Sequence, residues 1–305
     1  MMATKSMKKA KIIIVTILIC LLIINIFLGS VINNDKSTKV SKDTAIKLPY
    51  VVVHIDLKGS PPKLEYMESL LQGLKEHGVN GLLVEYEDMF PFDQNLAITA
   101  KNSYSCIGLK NFLTKAAHLG FEIIPLIQTF GHMEYILKLQ QYKHLREDPS
   151  YFDSICPSHP ESIVLIKKML EQVIYFHNNI STLKFIHIGC DEVYHINKCT
   201  LCRQKRLVDL DIFVNHLQSV IGFVKEISPD TKVLMWDDMF RGINSDLPKT
   251  ILHDTEPVYW DYKPKITISH IDLMKYRRKF QNIWIASAFK GADDRRSATR
   301  SWPGY

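Results

Sequence analysis

The sequence has no stripe of lysine and arginine interleaved with aromatic residues. Its 305 residues carry 38 Lys and Arg against 32 Asp and Glu, a formal net charge of +6. Four of those cations, Lys5, Lys8, Lys9 and Lys11, sit in the first eleven residues. Nucleic-acid binding needs a concentrated basic face, so that class of partner is excluded. Cysteine is also scarce: Cys20, Cys106, Cys156, Cys190 and a single Cys199-x-x-Cys202 pair, with no second such pair. A structural zinc site takes four ligands, and the spacing therefore predicts neither a metal nor a cofactor. The Cys199 and Cys202 thiols are instead placed to close a small disulfide ring, provided the compartment is oxidising.

Acids are absent from residues 1–11, and residues 12–34 hold no charge at all. About 20 apolar residues cross a bilayer, whereas the apolar part of a signal peptide is nearer 7–15. The length predicts a retained transmembrane signal-anchor over residues 12–34, with cleavage near Gly29-Ser30 as the other use of such a segment. The lysine bias places residues 1–11 in the cytosol as a tail. The chain is then a single-pass type II membrane protein of the Golgi or another secretory-pathway membrane, with its bulk lumenal or extracellular. Residues 35–48 are polar, lysine-rich and without period, and read as a stem. On the far side of a membrane, Asn179-Ile-Ser181 becomes an N-glycan acceptor.

From residue 49 to 291 strand and helix patterns alternate. Strands are predicted at 51–57, 81–86, 121–129, 183–189, 232–236, 257–260 and 282–288, and helices at 64–77, 109–119, 161–176 and 211–227. Repeated strand-then-helix units imply a parallel sheet with right-handed crossovers. About 255 residues remain after the stem, close to the size of one (β/α)8 barrel of the TIM type. The seven strands stop short of eight. Residues 292–305 have no apolar period, so the expected domain is a barrel truncated after its seventh strand, with two open edges.

The fourth strand pattern runs Leu183-Lys-Phe-Ile-His-Ile-Gly-Cys-Asp-Glu-Val193. Its apolar residues are nearly continuous, as in a strand buried on both faces. Two acids, Asp191 and Glu192, follow at once, and in such barrels strand carboxyl ends face the active-site mouth. Neighbours on a strand point to opposite faces, so the pair can act together only where Gly189 lets the chain bend. An Asp-Glu pair after a strand also serves as a helix cap.

His187-x-Gly189-x-Asp191-Glu192 resembles the signature of family-20 glycoside hydrolases, the β-N-acetylhexosaminidases. The resemblance extends to His54-Ile-Asp-Leu-Lys-Gly-Ser-Pro-Pro-Lys63, Glu85-Tyr-Glu-Asp88, Gln128-Thr-Phe-Gly-His-Met-Glu134 and Ala288-Phe-Lys-Gly291, and is strongest with the hexosaminidase D branch. It implies exo-hydrolysis of terminal GlcNAc or GalNAc from glycans, with Glu192 as general acid and then base and Asp191 orienting the 2-acetamido group. It also implies that Trp236, Trp260 and Tyr262 box in the sugar, with the Tyr262 hydroxyl on the acetamide oxygen; a core role is the other reading of each. His132 resembles the family histidine beside the acid pair, or is structural. Asp56, Lys58 and Glu87 end the first two strands and line the mouth with Asp237 and Asp238. Where many members carry an arginine after the first strand, this chain has Lys58-Gly-Ser-Pro-Pro. The partner implied is a glycan ending in N-acetylhexosamine, and a homodimer is compatible with it. The alternative is a truncated, non-catalytic chain that binds glycans or is unstable.

Overall fold

The structure, a computed structural model, describes residues 24–30, 48–241, 247–263 and 268–288. Seven parallel strands follow one another in chain order: β2 (Tyr50–Asp56), β3 (Gly81–Glu85), β4 (Glu122–Leu126), β5 (Phe185–His187), β6 (Lys232–Trp236), β7 (Thr255–Asp261) and β8 (Ile283–Ala288). Each pairs with the next, from Val52 against Gly81 round to Asp261 against Ser287. All seven coincide with strands predicted from apolar runs, as expected where a parallel sheet is covered on both faces.

Between them lie α1 (Leu64–Glu76), α2 (Cys106–His118), α3 (Glu134–Leu137), α4 (Pro160–Asn178), α5 (Thr200–Gln204), α6 (Asp209–Ile227), α7 (Asp238–Arg241), α8 (Lys249–Asp254) and α9 (His270–Lys279). The four long helices predicted correspond to α1, α2, α4 and α6. Helix α9 escaped the pattern because it buries only Tyr276 and ends in Arg277, Arg278 and Lys279.

The period of two divides every strand between two cores. Val53, Ile55, Leu82, Val84, Ile186 and Val233 pack outward with the helices. Val52, Leu83, Leu126, Leu234 and Val258 pack inward. At the amino-terminal end of the barrel Tyr50 stacks on Trp284 at 5.2 Å, with Phe185 edge-on at 5.3 Å, and these rings fill the interior. At the carboxyl end the inward positions turn polar: His54, Glu85, Gln128 and His187 are all buried.

The amino-terminal expectation needs correction. Ile24–Ser30 (β1) is a strand, antiparallel to both β2 and β8, and it closes the sheet. It lies inside the segment predicted as a membrane helix. The rest of that segment, the cytosolic tail 1–11, nearly all of the stem and the tail 292–305 lie outside the described residues. No helix among the described residues is long and apolar enough to cross a membrane. The physical reason for the strand is the sheet itself: β2 and β8 each present a row of unpaired N–H and C=O groups, and one extended segment between them satisfies both.

Candidate active site

β5 ends at His187, and the chain then turns through left-handed backbone. Gly189 has φ +69°, Cys190 +68° and Glu192 +48°. A Cβ on Gly189 would run into the Gln128 side-chain oxygen, so glycine is needed for space as well as for φ. Glu87 (+46°) and His132 (+50°) share the same region, so four of the seven non-glycine residues with positive φ among the described residues stand at this end of the barrel. Such residues hold about 1–3 kcal/mol of strain each and gather at functional sites.

The bend resolves the alternation problem. Asp191 and Glu192 would face opposite ways on a regular strand, yet both carboxylates reach one histidine: His132 Nε2 lies 3.4 Å from Asp191 Oδ2 and 3.3 Å from Glu192 Oε2. Burial alone would depress the His132 pKa, but hydrogen bonds to Asp191 and Glu134 and their charges lift it to about 11. His132 is therefore a cation across the neutral range, clamped between acids.

Beneath the pair, Gln128 fixes Asp191. Its amide nitrogen donates to Asp191 Oδ1 (3.0 Å) and Glu85 Oε1 (3.2 Å), and its oxygen accepts from the Cys190 N–H (3.3 Å). Glu85 in turn sits 3.0 Å from His54 Nε2. Burial pushes the Glu85 carboxyl up, but the His54 and Gln128 contacts outweigh it and hold Glu85 below its ordinary value. Glu192 is held through its backbone. Its N–H donates to Asp238 Oδ2 (2.9 Å), and Asp238 also accepts from Trp260 Nε1 (3.2 Å). Burial, with the Asp191 charge behind it, pushes Asp238 up to about 6. Tyr194 hydrogen-bonds Glu192, and burial and that contact push its hydroxyl up to about 12.

The predicted pocket residues divide. Trp260 and Tyr262 pack with their ring centroids 5.0 Å apart and their planes tilted by 33°, both half-buried. Burial and the charges of Asp191, Glu85, Glu192 and Asp56 push the Tyr262 hydroxyl up, which places it among the acids. Trp236 is buried, 4.5 Å from the His187 ring and 5.9 Å from His54, and forms the floor. Lys58 Nζ bridges Glu87 (3.1 Å) and Glu134 (3.5 Å), and Glu134 reaches His132 Nδ1 at 3.7 Å. Charges thus alternate from Glu87 through Lys58, Glu134 and His132 to the pair. Burial and the Glu85 charge raise Glu87 to about 7 against the pull of Lys58. Asp56 is raised by burial and by Glu85, and accepts from the Lys58 N–H at 2.9 Å.

Three expectations fall outside the mouth. Asp237 is fully buried in a paired fork with Arg241 (2.7 and 2.9 Å) and the Tyr276 hydroxyl (2.9 Å), so it braces β6 against α9. Asn179 is exposed at the carboxyl end of α4, which leads into the opposite end of β5. Cys199 and Cys202 are free thiols, not the expected disulfide. The Cys199 sulfur is turned to accept the Cys202 N–H at 3.2 Å and lies 3.3 Å from a third thiol, Cys156.

Residues 77–267 match the family model described as glycosyl hydrolase family 20, catalytic domain. Over 255 residues the chain is 38% identical to hexosaminidase D of Bos taurus, covering 79% of this chain and 72% of the bovine protein. The chain belongs to glycosyl hydrolase family 20. Hexosaminidase D of Homo sapiens is 39% identical over 255 residues, 79% of this chain and 51% of the human one, so the chain spans about half of that relative's length. The solved exo-β-N-acetylglucosaminidase of Vibrio harveyi, in complex with N-acetylglucosamine, superposes with a TM-score of 0.59 at 19% identity, covering 76% of this chain and 40% of that one. The β-N-acetylhexosaminidase of Bacteroides fragilis gives 0.58 at 17%, covering 73% and 48%. At those identities the likeness is one of fold.

Within this family-20 barrel, Glu85, Gln128, His54, Glu134 and the precise part of Asp238 were not singled out from sequence as site residues. A signal did exist. Glu85 is in phase with the inward Leu83, and His54 with the inward Val52, so a polar residue at the inward phase near a strand's carboxyl end marks the supporting layer.

Proposed function

We propose that this family-20 chain is an exo-β-N-acetylhexosaminidase that removes terminal GlcNAc or GalNAc by a substrate-assisted, retaining route. The observation that carries the reading is that Asp191 and Glu192, both partly exposed just beyond the carboxyl end of β5, share His132 at 3.4 and 3.3 Å. A two-carboxylate retaining enzyme needs its groups about 5 Å apart across the sugar, one of them a nucleophile. An adjacent pair suits a substrate that brings its own nucleophile.

In that reaction the acetamide carbonyl oxygen attacks the anomeric carbon while Glu192 gives its proton to the departing glycosidic oxygen. The C1–O bond breaks, the aglycone leaves as an alcohol, and a cyclic oxazolinium remains. Asp191, immobilised by Gln128, accepts the acetamide N–H and offsets the positive charge growing on that group. Glu192, now a carboxylate, takes a proton from water as the water opens the ring, and the sugar leaves with retained configuration. In this reading Tyr262 hydrogen-bonds the acetamide oxygen, Trp260 stacks on the sugar face, and Asp238, which accepts the Glu192 N–H at 2.9 Å, holds that backbone still.

Hydrolysis of nitrophenyl N-acetyl-β-glucosaminide and N-acetyl-β-galactosaminide tests the proposal. Glu192→Gln keeps the shape of the side chain but removes its proton, and is expected to lower kcat by about 10²–10⁴ with an unchanged melting curve. The matching β-glucoside, which lacks the acetamide, should be cleaved at background rate. Equal cleavage of that glucoside defeats the mechanism; a well-folded wild-type chain inert on both N-acetyl substrates defeats the activity.

A further inference from the structure

The loops after β4 and β5 bring together four groups that the glycosidase chemistry does not use: Glu147, Cys156, Cys199 and Cys202. Their ligand atoms all lie within 4.8 Å of one another. Cys156 Sγ is 3.3 Å from Cys199 Sγ and 3.8 Å from Cys202 Sγ, and Cys202 Sγ is 3.2 Å from Glu147 Oε2. We propose that these residues form a structural site for one thiophilic divalent cation, zinc by its ligand chemistry.

Distances come first. Tetrahedral zinc with Zn–S near 2.3 Å sets its sulfurs roughly 3.7 Å apart, and the observed sulfur separations bracket that edge. The backbone already holds the donors. Glu147 and Cys156 are presented side by side by a two-stranded turn, in which Glu147 N–H donates to Ser154 O (3.0 Å) and Cys156 N–H to Leu145 O (2.7 Å). Across from them the Cys202 N–H donates to Cys199 Sγ, which preorganises the Cys-x-x-Cys half.

Charge supplies an independent argument. Glu147 is fully buried, and no ion pair with Lys, Arg or His joins it among the described residues. Its polar contacts are the Lys198 and Cys199 N–H groups, at 2.7 and 3.1 Å, and the Cys202 thiol. A buried carboxylate is retained when it is paired or ligates a metal. The thiol count points the same way, since a disulfide uses two of the three sulfurs and leaves the carboxylate without a cation. A divalent ion uses all four groups: three thiols release their protons on binding, and four anionic donors surround the ion.

The site is a staple beside the chemistry. Cys199 stands seven residues after Glu192, and His195 between them contacts Asp153 at 2.9 Å on the facing loop. Met133, next to His132, donates its N–H to Asp153 O at 2.8 Å. The cation therefore ties the loop that carries Glu192 to the loop that carries His132.

The test is metal content and cobalt spectroscopy on the full chain, purified under reducing conditions with zinc available. About one zinc per chain is expected, and Co²⁺ exchanged into the site should show a thiolate-to-cobalt charge-transfer band and the d–d bands of a tetrahedral ion. Cys156→Ser should abolish the stoichiometric metal. Glu147→Gln should weaken cobalt binding more than tenfold, since outer-shell changes alone cost about 10–100-fold. The wild-type metal count and spectrum need no variant, so a misfolded mutant does not blunt the test. A wild-type chain with no bound metal and no charge-transfer band overturns the proposal, as does a Cys156–Cys199 or Cys199–Cys202 disulfide found by mass spectrometry in protein never exposed to oxidant.

Discussion

Gly189 makes a prediction that reaches from backbone geometry to the acid pair. Its φ of +69° is in the left-handed region, which costs a residue with a Cβ about 1–2 kcal/mol. In Gly189→Ala the new methyl also collides with the Gln128 oxygen. The amide must move, and it makes one neutral hydrogen bond, to Cys190 N–H, and two to carboxylates, Glu85 and Asp191. Neutral bonds contribute about 0.5–1.5 kcal/mol and bonds to charged groups about 1.5–3. If a single carboxylate bond survives the shift, Gly189→Ala destabilises the fold by about 3–6.5 kcal/mol, of which the backbone accounts for the smaller share. Gln128→Ala removes the obstacle together with the bonds. On that background Gly189→Ala should cost only its backbone share, about 1–2 kcal/mol. Urea unfolding of the four proteins closes the cycle, with an expected coupling of about 2–4.5 kcal/mol against the 0.3–0.5 kcal/mol scatter of independent sites. Both single variants should also lose nitrophenyl N-acetylglucosaminide hydrolysis, because each frees Asp191. Additive destabilisation would show that the glycine is not there to clear Gln128, and the account of how Asp191 is held would fall with it.

The remaining predictions are shorter. His132 has its pKa lifted from the usual 6.5 to about 11, so its contribution to stability is complete below about 6.5 and is lost as pH rises towards 11. His132→Asn, which tolerates the left-handed backbone, should unfold at lower urea than wild type at pH 7, and the gap should narrow by pH 10; a constant gap would deny that the ion pairs with Asp191 and Glu134 matter. Ile24–Ser30 cannot pair with β2 and β8 and cross a bilayer at once. With the strand in place, a chain beginning at Lys47 exposes both sheet edges and should melt lower and aggregate. An unchanged melting temperature, together with carbonate-resistant membrane retention of the full chain, would return that segment to the bilayer.

Most of the barrel was legible because a parallel sheet buried on both faces writes each strand as a nearly continuous apolar run, and 81–86, 183–189 and 232–236 are such runs, broken only by Glu85, by Lys184 and His187, and by Lys232. Asp191 and Glu192 drew notice through the whole pattern His187-x-Gly189-x-Asp191-Glu192, which resembles the family-20 signature, since an adjacent acid pair after a strand is by itself also a helix cap. Their support was not, since it is assembled across strands: Gln128 from beyond β4, Glu85 from β3 and His54 from β2 meet only once the registers Val84 to Pro125 and His54 to Leu83 are set. Adjacency also misled once. Asp237 and Asp238 read as equivalent mouth residues, but the alternation of the chain sends Asp237 beneath Arg241 and Asp238 to the Glu192 N–H. The amino-terminal run is ambiguous for a different reason, because a segment apolar enough for lipid is equally suited to a gap between two sheet edges.

The cysteines show where pattern reading stops for a physical reason. Counting Cys-x-x-Cys pairs finds half-sites that are local in sequence, and Cys199 with Cys202 was found that way. The other half comes from Glu147 and Cys156, nine residues apart, on a loop that reaches the pair only because β4 and β5 are neighbours in the sheet. A carboxylate in that half carries no sequence signature at all. What marks Glu147 is its environment, a charge out of reach of water whose hydrogen bonds come only from backbone N–H groups and a thiol. The energetic demand for a cation there arises on folding, when the two loops close over it, and that demand is the reason the chelating group is visible in three dimensions and hidden in one.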